Sequence, residues 1–153
     1  MNKETTLITG ASSGIGLYLA HEFAKHGHSL VLVAPIESEL QAVANTFRAK
    51  NNVEVRVIAK DLREESAAQE IFDQVNRGAP IEILVNNAGH GQRGKFWEIP
   101  IETDISMLDL NILAYLRLTK LFLPMLVERG RGRILNTASV AGFEPGPMQA
   151  VYH

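Results

Sequence analysis

The sequence predicts an α/β protein, a Rossmann-type doubly wound parallel sheet of about five strands with helices on both faces. Three observations carry that expectation. Short apolar runs alternate with helical patterns along the whole chain, and a βαβαβαβαβ order implies parallel strands joined by right-handed crossovers. The first apolar run, Thr5-Thr6-Leu7-Ile8, enters a glycine-rich turn that opens a helix. The polar motifs each follow a strand-like run, where open α/β sheets bind their ligands.

Taken in order, residues 5–9 read as the first strand and 14–26 as the first helix, with Gly27 where a helix C-terminal glycine belongs. Ser29-Leu30-Val31-Leu32-Val33-Ala34 is a continuous apolar run, as expected of a strand buried on both faces. Residues 37–50 place Leu40, Val43, Ala44 and Phe47 on one helical stripe. Residues 53–58 alternate, which fits a strand nearer an edge. A second amphipathic helix over 64–76 carries Ala67, Ala68, Ile71, Phe72 and Val75. Residues 81–85 form the fourth strand, followed by a glycine-rich loop over 89–94. A long helix runs from about 103 to 129, with Pro124 expected to kink it and Gly130 ending it; residues 133–138 form the fifth strand. The whole chain, residues 1–153, reads as one domain.

The stretch Thr9-Gly10-Ala11-Ser12-Ser13-Gly14-Ile15-Gly16 has the make-up of a phosphate site. A helix N-terminus offers unpaired N–H groups and the positive end of the helix dipole. Glycines at 10, 14 and 16 allow a tight turn, approach of a pyrophosphate and close helix–strand packing. No lysine follows the last glycine, so a dinucleotide fits better than a nucleoside triphosphate with magnesium.

Composition narrows the function classes. Apolar residues make up 46% and charged residues 21%, ordinary for a globular protein. The net charge of −2 and the lack of a basic stripe disfavour nucleic acid as a partner. There is no cysteine, which excludes thiolate chemistry and is compatible with a cytoplasmic location. The stretch after residues 1–4 is too short for a signal peptide. The most apolar run, 121–127, is far below membrane-spanning length, so no membrane is expected as a partner. His21, His26 and His28 lack metal-ligand spacing, and no metal is expected.

These residues resemble the short-chain dehydrogenases/reductases, and the resemblance covers essentially the whole chain. Residues 9–16 look like the family's T-G-x-x-x-G-x-G turn, Asn86-Asn87-Ala88-Gly89 like its N-N-A-G, and Asp61-Leu62 like its adenine-contacting position. Asn111 stands at the helix asparagine, while Ser139 and Tyr152 have the spacing of the catalytic serine and tyrosine. The local text is closest to a general-purpose bacterial branch sometimes labelled DltE-like. The resemblance implies reversible hydride transfer between NAD or NADP and a small carbonyl or alcohol substrate. It makes Tyr152 the acid/base, Ser139 the carbonyl orienter and Asn111 the support of a water relay. Gly10, Ser12, Ser13, Gly14, Ile15, Gly16, Asp61, Leu62, Asn87, Ala88 and Gly89 would hold the cofactor. A homo-oligomer built through the long helix is compatible with the family's habits.

The family motif is Y-x-x-x-K, and the sequence stops at His153, short of that lysine. A tyrosine with a pKa near about 10 serves as an acid/base when a neighbouring cation lowers that value. The expectation is therefore a C-terminally truncated chain with very poor catalysis by itself. With a 3-2-1-4-5 strand order, strand five would also be an open, association-prone edge. Two other classes fit the same residues: a non-catalytic dinucleotide-binding module and an inactive truncated remnant.

The residue after the second strand commonly decides between the two nicotinamide cofactors. Here Ala34 is followed by Pro35 and Ile36, and Glu37 suits the first turn of the next helix, so the choice between NAD and NADP stays open. His90, Arg93 and Lys95 read as a solvated loop at the mouth of the site. Phe96 and Trp97 fit either a satellite apolar cluster or a substrate wall. Arg129, Arg131 and Arg133 read as a solvated helix-to-strand turn.

Overall fold

A computed structural model describes residues 4–153; residues 1–3, part of the stretch considered above for a leader, lie outside it. Five parallel strands form one sheet in the order β3-β2-β1-β4-β5. They are β1 Thr5–Thr9, β2 Ser29–Ala34, β3 Val55–Ala59, β4 Ile83–Asn86 and β5 Arg133–Asn136. This is the expected order, with the topological switch between β1 and β4.

The helices divide between the two faces. On one face, α1 Gly14–Lys25 and α2 Glu37–Asn51 pack Ala20, Ala24, Leu40, Ala44 and Phe47 against Ile8, Leu30, Leu32 and Val85. On the other, α3 Ala67–Val75 and α5 Ala114–Glu128 pack Ala68, Ile71, Leu118 and Phe122 against Leu7, Val31, Val33 and Leu84. Successive residues of β2 thus serve opposite cores, which is why the run from Leu30 to Val33 is apolar without interruption. An edge-on contact between Phe72 and Phe122, centroids 5.2 Å apart, joins α3 to α5.

Several boundaries differ from the sequence reading. α3 begins at Ala67, three residues late, because Asp61 organises the preceding segment into turns. Its Oδ1 accepts the Arg63 N–H at 3.0 Å, and its carbonyl accepts the Glu64 N–H at 3.1 Å. β4 begins at Ile83; just before it, the buried Glu82 accepts the Thr5 N–H at 3.0 Å and pairs with Arg131 at 3.0 Å. Arg129 donates to the Ile81 carbonyl, and Arg133 pairs with Glu4. Arg129, Arg131 and Arg133 are exposed, as expected of a solvated helix-to-strand turn, and from there they also tie the N-terminal ends of β1, β4 and β5 together.

The long helix starts at Ile101 and is not uniform. α4 Ile101–Leu108 passes through one π-helical turn, Asp109–Leu113, before α5, and continues past Pro124. Together these segments run 28 residues, with a mean hydropathy of 1.5 in the most apolar window. By length and composition the helix could cross a membrane, which the 121–127 run alone did not suggest. One stripe of it, Ala114, Leu118, Phe122 and Leu126, is buried, while Ile112, Leu116, Leu123 and Val127 are exposed. β5 is an edge strand, with Arg133, Leu135 and Asn136 exposed.

Candidate active site

A cavity of about 790 Å³ opens along the carboxyl ends of the strands. That size suits a small-molecule or cofactor site. Gly10, Ser12, Ser13, Gly14 and Ile15 line it, as do Asp61, Leu62, Asn87, Ala88, Gly89, Asn111, Ser139 and Tyr152. Gly16 does not: it is buried at the root of the turn. A Cβ there would lie 2.1 Å from the Gly10 carbonyl oxygen, so Gly16 lets α1 dock on the turn. Gly10 and Gly14 have φ of +65° and +53°, the left-handed region that favours glycine. A Cβ on Gly14 would meet nothing within 4 Å. The Ser13 side chain makes no capping bond to the helix. The opening of α1 therefore presents hydroxyls, free N–H groups and open space to the cavity, which fits a pyrophosphate.

Thr9 holds this turn to β4. Its Oγ1 accepts the N–H groups of Asn87 at 2.9 Å and Ala88 at 3.0 Å, and donates to the Val85 carbonyl at 3.3 Å. Asn87 donates from Nδ2 to the Thr9 carbonyl at 3.0 Å and accepts the Thr137 hydroxyl at 3.0 Å. Asn86, fully buried and in register with Asn136, donates to Asn136 Oδ1 at 2.9 Å and Thr119 Oγ1 at 3.2 Å. A polar seam thus locks β1, β4 and β5 at the ligand end of the sheet.

Asn111 sits in the π-helical turn and reaches across to the glycine-rich loop. Its Oδ1 accepts the His90 N–H at 3.0 Å, and its Nδ2 donates to the His90 carbonyl at 2.8 Å. Both ends of the amide are engaged. The side chain is therefore a clamp on the loop, and one N–H and one acceptor site of the amide remain beyond these two bonds. π-Helical turns commonly mark functional sites, and here the turn supports the loop that floors the cavity.

Tyr152 and Ser139 enter from the segment after β5. The Gly94 N–H donates to the Met148 carbonyl at 2.7 Å, tying the loop to that segment. A Cβ on Gly91 would lie 3.6 Å from the Tyr152 ring. Ser139 is exposed and caps a short 3₁₀ turn, its Oγ accepting the Ala141 N–H at 3.1 Å. His90 and Gly91 line the cavity, whereas Arg93 and Lys95 do not. Phe96 and Trp97, also outside its wall, are exposed.

Sequence reasoning missed Tyr115. It lies one helical turn beyond Asn111, lines the same cavity and donates to the Thr137 carbonyl at 3.4 Å. Burial, assisted by Tyr152, pushes its phenol up to about 12. The four-residue step from Asn111 was the available signal. At the other end of the cavity, the Arg63 guanidinium beside Asp61 holds its carboxyl below the usual range. The bond to Glu70 holds the Lys60 ammonium above its usual range.

The doubly wound sheet and the glycine turn at its switch point define a dinucleotide-binding class of α/β protein. Comparison with known proteins narrows the class. The family described as short chain dehydrogenase matches residues 4–153, and the chain belongs to that family. The human very-long-chain 3-oxoacyl-CoA reductase is 36% identical over 97% of the chain and 49% of its own length. A ketoacyl reductase of Nostoc sp. is 36% identical over 97% of the chain and 52% of its own length. The chain thus spans about half the length of these curated relatives. Among solved structures, a bulky-bulky ketone specific alcohol dehydrogenase from Comamonas testosteroni superposes with a TM-score of 0.94 at 36% identity, covering 99% of this chain and 61% of that one. A short-chain dehydrogenase from Sphingobium yanoikuyae in complex with NADPH gives 0.92 at 39% identity, covering 97% and 58%.

Proposed function

We propose that this chain is the cofactor-binding portion of an NAD(P)-dependent oxidoreductase acting on a small carbonyl or alcohol. The observation that supports this reading best is the convergence of the Gly10–Gly14 turn, Asn111, Ser139 and Tyr152 on one cavity. The relatives' names point the same way, since 3-oxoacyl-CoA, ketoacyl and ketone substrates all contain a carbonyl. A cytoplasmic location belongs to the same proposal and suits a chain without cysteine.

In this reading the turn and the α1 N-terminus bind the pyrophosphate, and Asp61 and Leu62 face the adenine. A bound nicotinamide supplies or accepts the hydride. Ser139 Oγ donates to the substrate oxygen as negative charge develops on it. The Tyr152 hydroxyl provides the proton in reduction and takes it back in oxidation. Asn111 acts through the loop, fixing the peptide groups on both sides of His90 and thereby the cavity floor. The Tyr115 phenol stays neutral across the working pH range and remains a hydrogen-bond donor beside Tyr152.

Equilibrium titration of the chain with NADH and NADPH tests the binding half of the proposal. Saturable binding of either is expected, with about 2.7 kcal/mol of added stability at a hundred times the dissociation constant. Failure of both to bind would overturn it. Turnover of a ketone panel, compared with Tyr152→Phe, tests the chemical half. A residual rate that survives Tyr152→Phe would remove Tyr152 from the acid/base role.

A further inference from the structure

The end of the cavity away from Tyr152 is formed where β2 and β3 stop. Ala34 and Pro35 leave β2 there, and Lys60, Asp61 and Arg63 leave β3. The Lys60 N–H donates to the Ala34 carbonyl at 3.0 Å, so the two exits move as one. In this topology the end of the second strand meets the adenosine ribose. An acid there bonds the 2′-hydroxyl, and an arginine accommodates a 2′-phosphate.

Neither charge stands at 34–36 in this chain. Pro35 also has no N–H to offer. The next ionisable groups are Glu37 and Glu39, both acids in the first turn of α2. The two cations in the cavity wall are already committed. Arg63 Nε lies 2.8 and 3.0 Å from the two oxygens of Asp61, and Nη2 binds the same carboxylate. Lys60 Nζ lies 2.5 Å from Glu70 and 3.8 Å from Glu64. Two cations therefore face three carboxylates before any ligand arrives.

We propose that this site selects the dinucleotide with a free 2′-hydroxyl, NAD, against its 2′-phosphorylated counterpart; the inference rests on the dinucleotide reading above. A 2′-phosphate brings a charge approaching −2 and three strong acceptor oxygens. Among the described residues of the cavity wall, both cations it meets are already paired with carboxylates, Pro35 has no N–H, and α2 opens with acids. Drawing Arg63 away would leave Asp61 only the Arg63 backbone N–H, and drawing Lys60 away would leave Glu70 only the Ser66 hydroxyl. The neutral hydroxyl incurs none of these costs. On this point the chain departs from its Sphingobium neighbour, which is in complex with NADPH.

The test is calorimetric titration of the full chain with NAD⁺ and NADP⁺, alongside Ile36→Arg. Ile36 is half exposed, so the arginine is added at the surface. NAD⁺ is expected to bind about tenfold more tightly, or better. The gap should narrow as salt rises toward about 1 M, where the Debye length falls to about 3 Å. Ile36→Arg should raise NADP⁺ affinity about tenfold and change NAD⁺ affinity little. NADP⁺ binding as tightly as NAD⁺ in the parent chain overturns the proposal, and its loss in Arg63→Met would then name Arg63 as the phosphate ligand. Failure of both dinucleotides to bind overturns the functional reading itself, a distinct result from inverted selectivity.

Discussion

Asn111 holds the two peptide groups that flank His90, accepting the His90 N–H at 3.0 Å and donating to the His90 carbonyl at 2.8 Å. Twenty-one residues separate Asn111 from His90 in sequence. The bonds pin the start of the glycine-rich loop to the π-helical turn, while Gly94 ties its far end to Met148. Asn111→Asp keeps one acceptor and sets a second oxygen against the His90 carbonyl. We expect a loss of about 1–2 kcal/mol in urea unfolding and about tenfold weaker dinucleotide binding. Unchanged affinity would show that the loop is positioned without the clamp.

The glycines of the turn have different jobs, which substitution separates. A methyl at Gly16 collides with the Gly10 carbonyl oxygen at 2.1 Å, so Gly16→Ala must force α1 away from the turn. A cost of about 3 kcal/mol or more is expected, within the range of a strained core change. Gly14→Ala meets no atom, and its cost is the left-handed backbone, about 1–2 kcal/mol. That variant should fold yet bind a dinucleotide poorly, because the methyl enters the space facing the cavity. Thermal melts with and without dinucleotide distinguish the two outcomes.

What the sequence disclosed depends on the range of the interaction that encodes it. The strands, their order and the glycine turn were legible because apolar periodicity and glycine spacing are local signals. The roles of Asn86 and Asn87 as parts of a seam were not, since they need the register that sets Asn86 opposite Asn136. Glu82 read only as part of the fourth strand, yet it is buried and serves Thr5, 77 residues away. The π-helical turn is one extra residue in an otherwise helical pattern, too small a change for a 3.6-residue period to reveal. Gly16 was read with the other turn glycines as serving both pyrophosphate approach and helix–strand packing, and a Cβ at 2.1 Å from the Gly10 carbonyl oxygen shows the packing part.

Thr9 offers a test of the seam. Its hydroxyl accepts from both Asn87 and Ala88, and it is almost wholly buried. Thr9→Val keeps the shape and leaves both donors without that partner. Each buried unsatisfied group costs about 1–3 kcal/mol, so a total of about 2–6 kcal/mol is expected. Thr9→Ser retains the oxygen and should lose much less. Urea midpoints should order as parent, Ser, Val with similar slopes; a Val midpoint equal to that of the parent would show that the two N–H groups do not depend on the Thr9 oxygen.

Tyr115 gives the fold a signature in alkali. Its phenol ionises at about 12 rather than 10, first because it is buried and second because Tyr152 lies near. A raised folded value means that the native state favours the neutral phenol. Its contribution is fully present below pH 10, where folded and unfolded chains are both protonated. Between 10 and 12 the unfolded phenol ionises while the folded one does not, and stability falls as pH rises. Tyr115→Phe removes that dependence, losing only the long bond to the Thr137 carbonyl at 3.4 Å. The parent chain should therefore lose stability more steeply than the variant between pH 10 and 12, despite similar stability at pH 8. The native chain has three tyrosines, and tyrosinate absorbance should show one ionising near 12 that vanishes in Tyr115→Phe. Parallel stability curves for parent and variant above pH 10 would mean that the phenol is solvated in the native state.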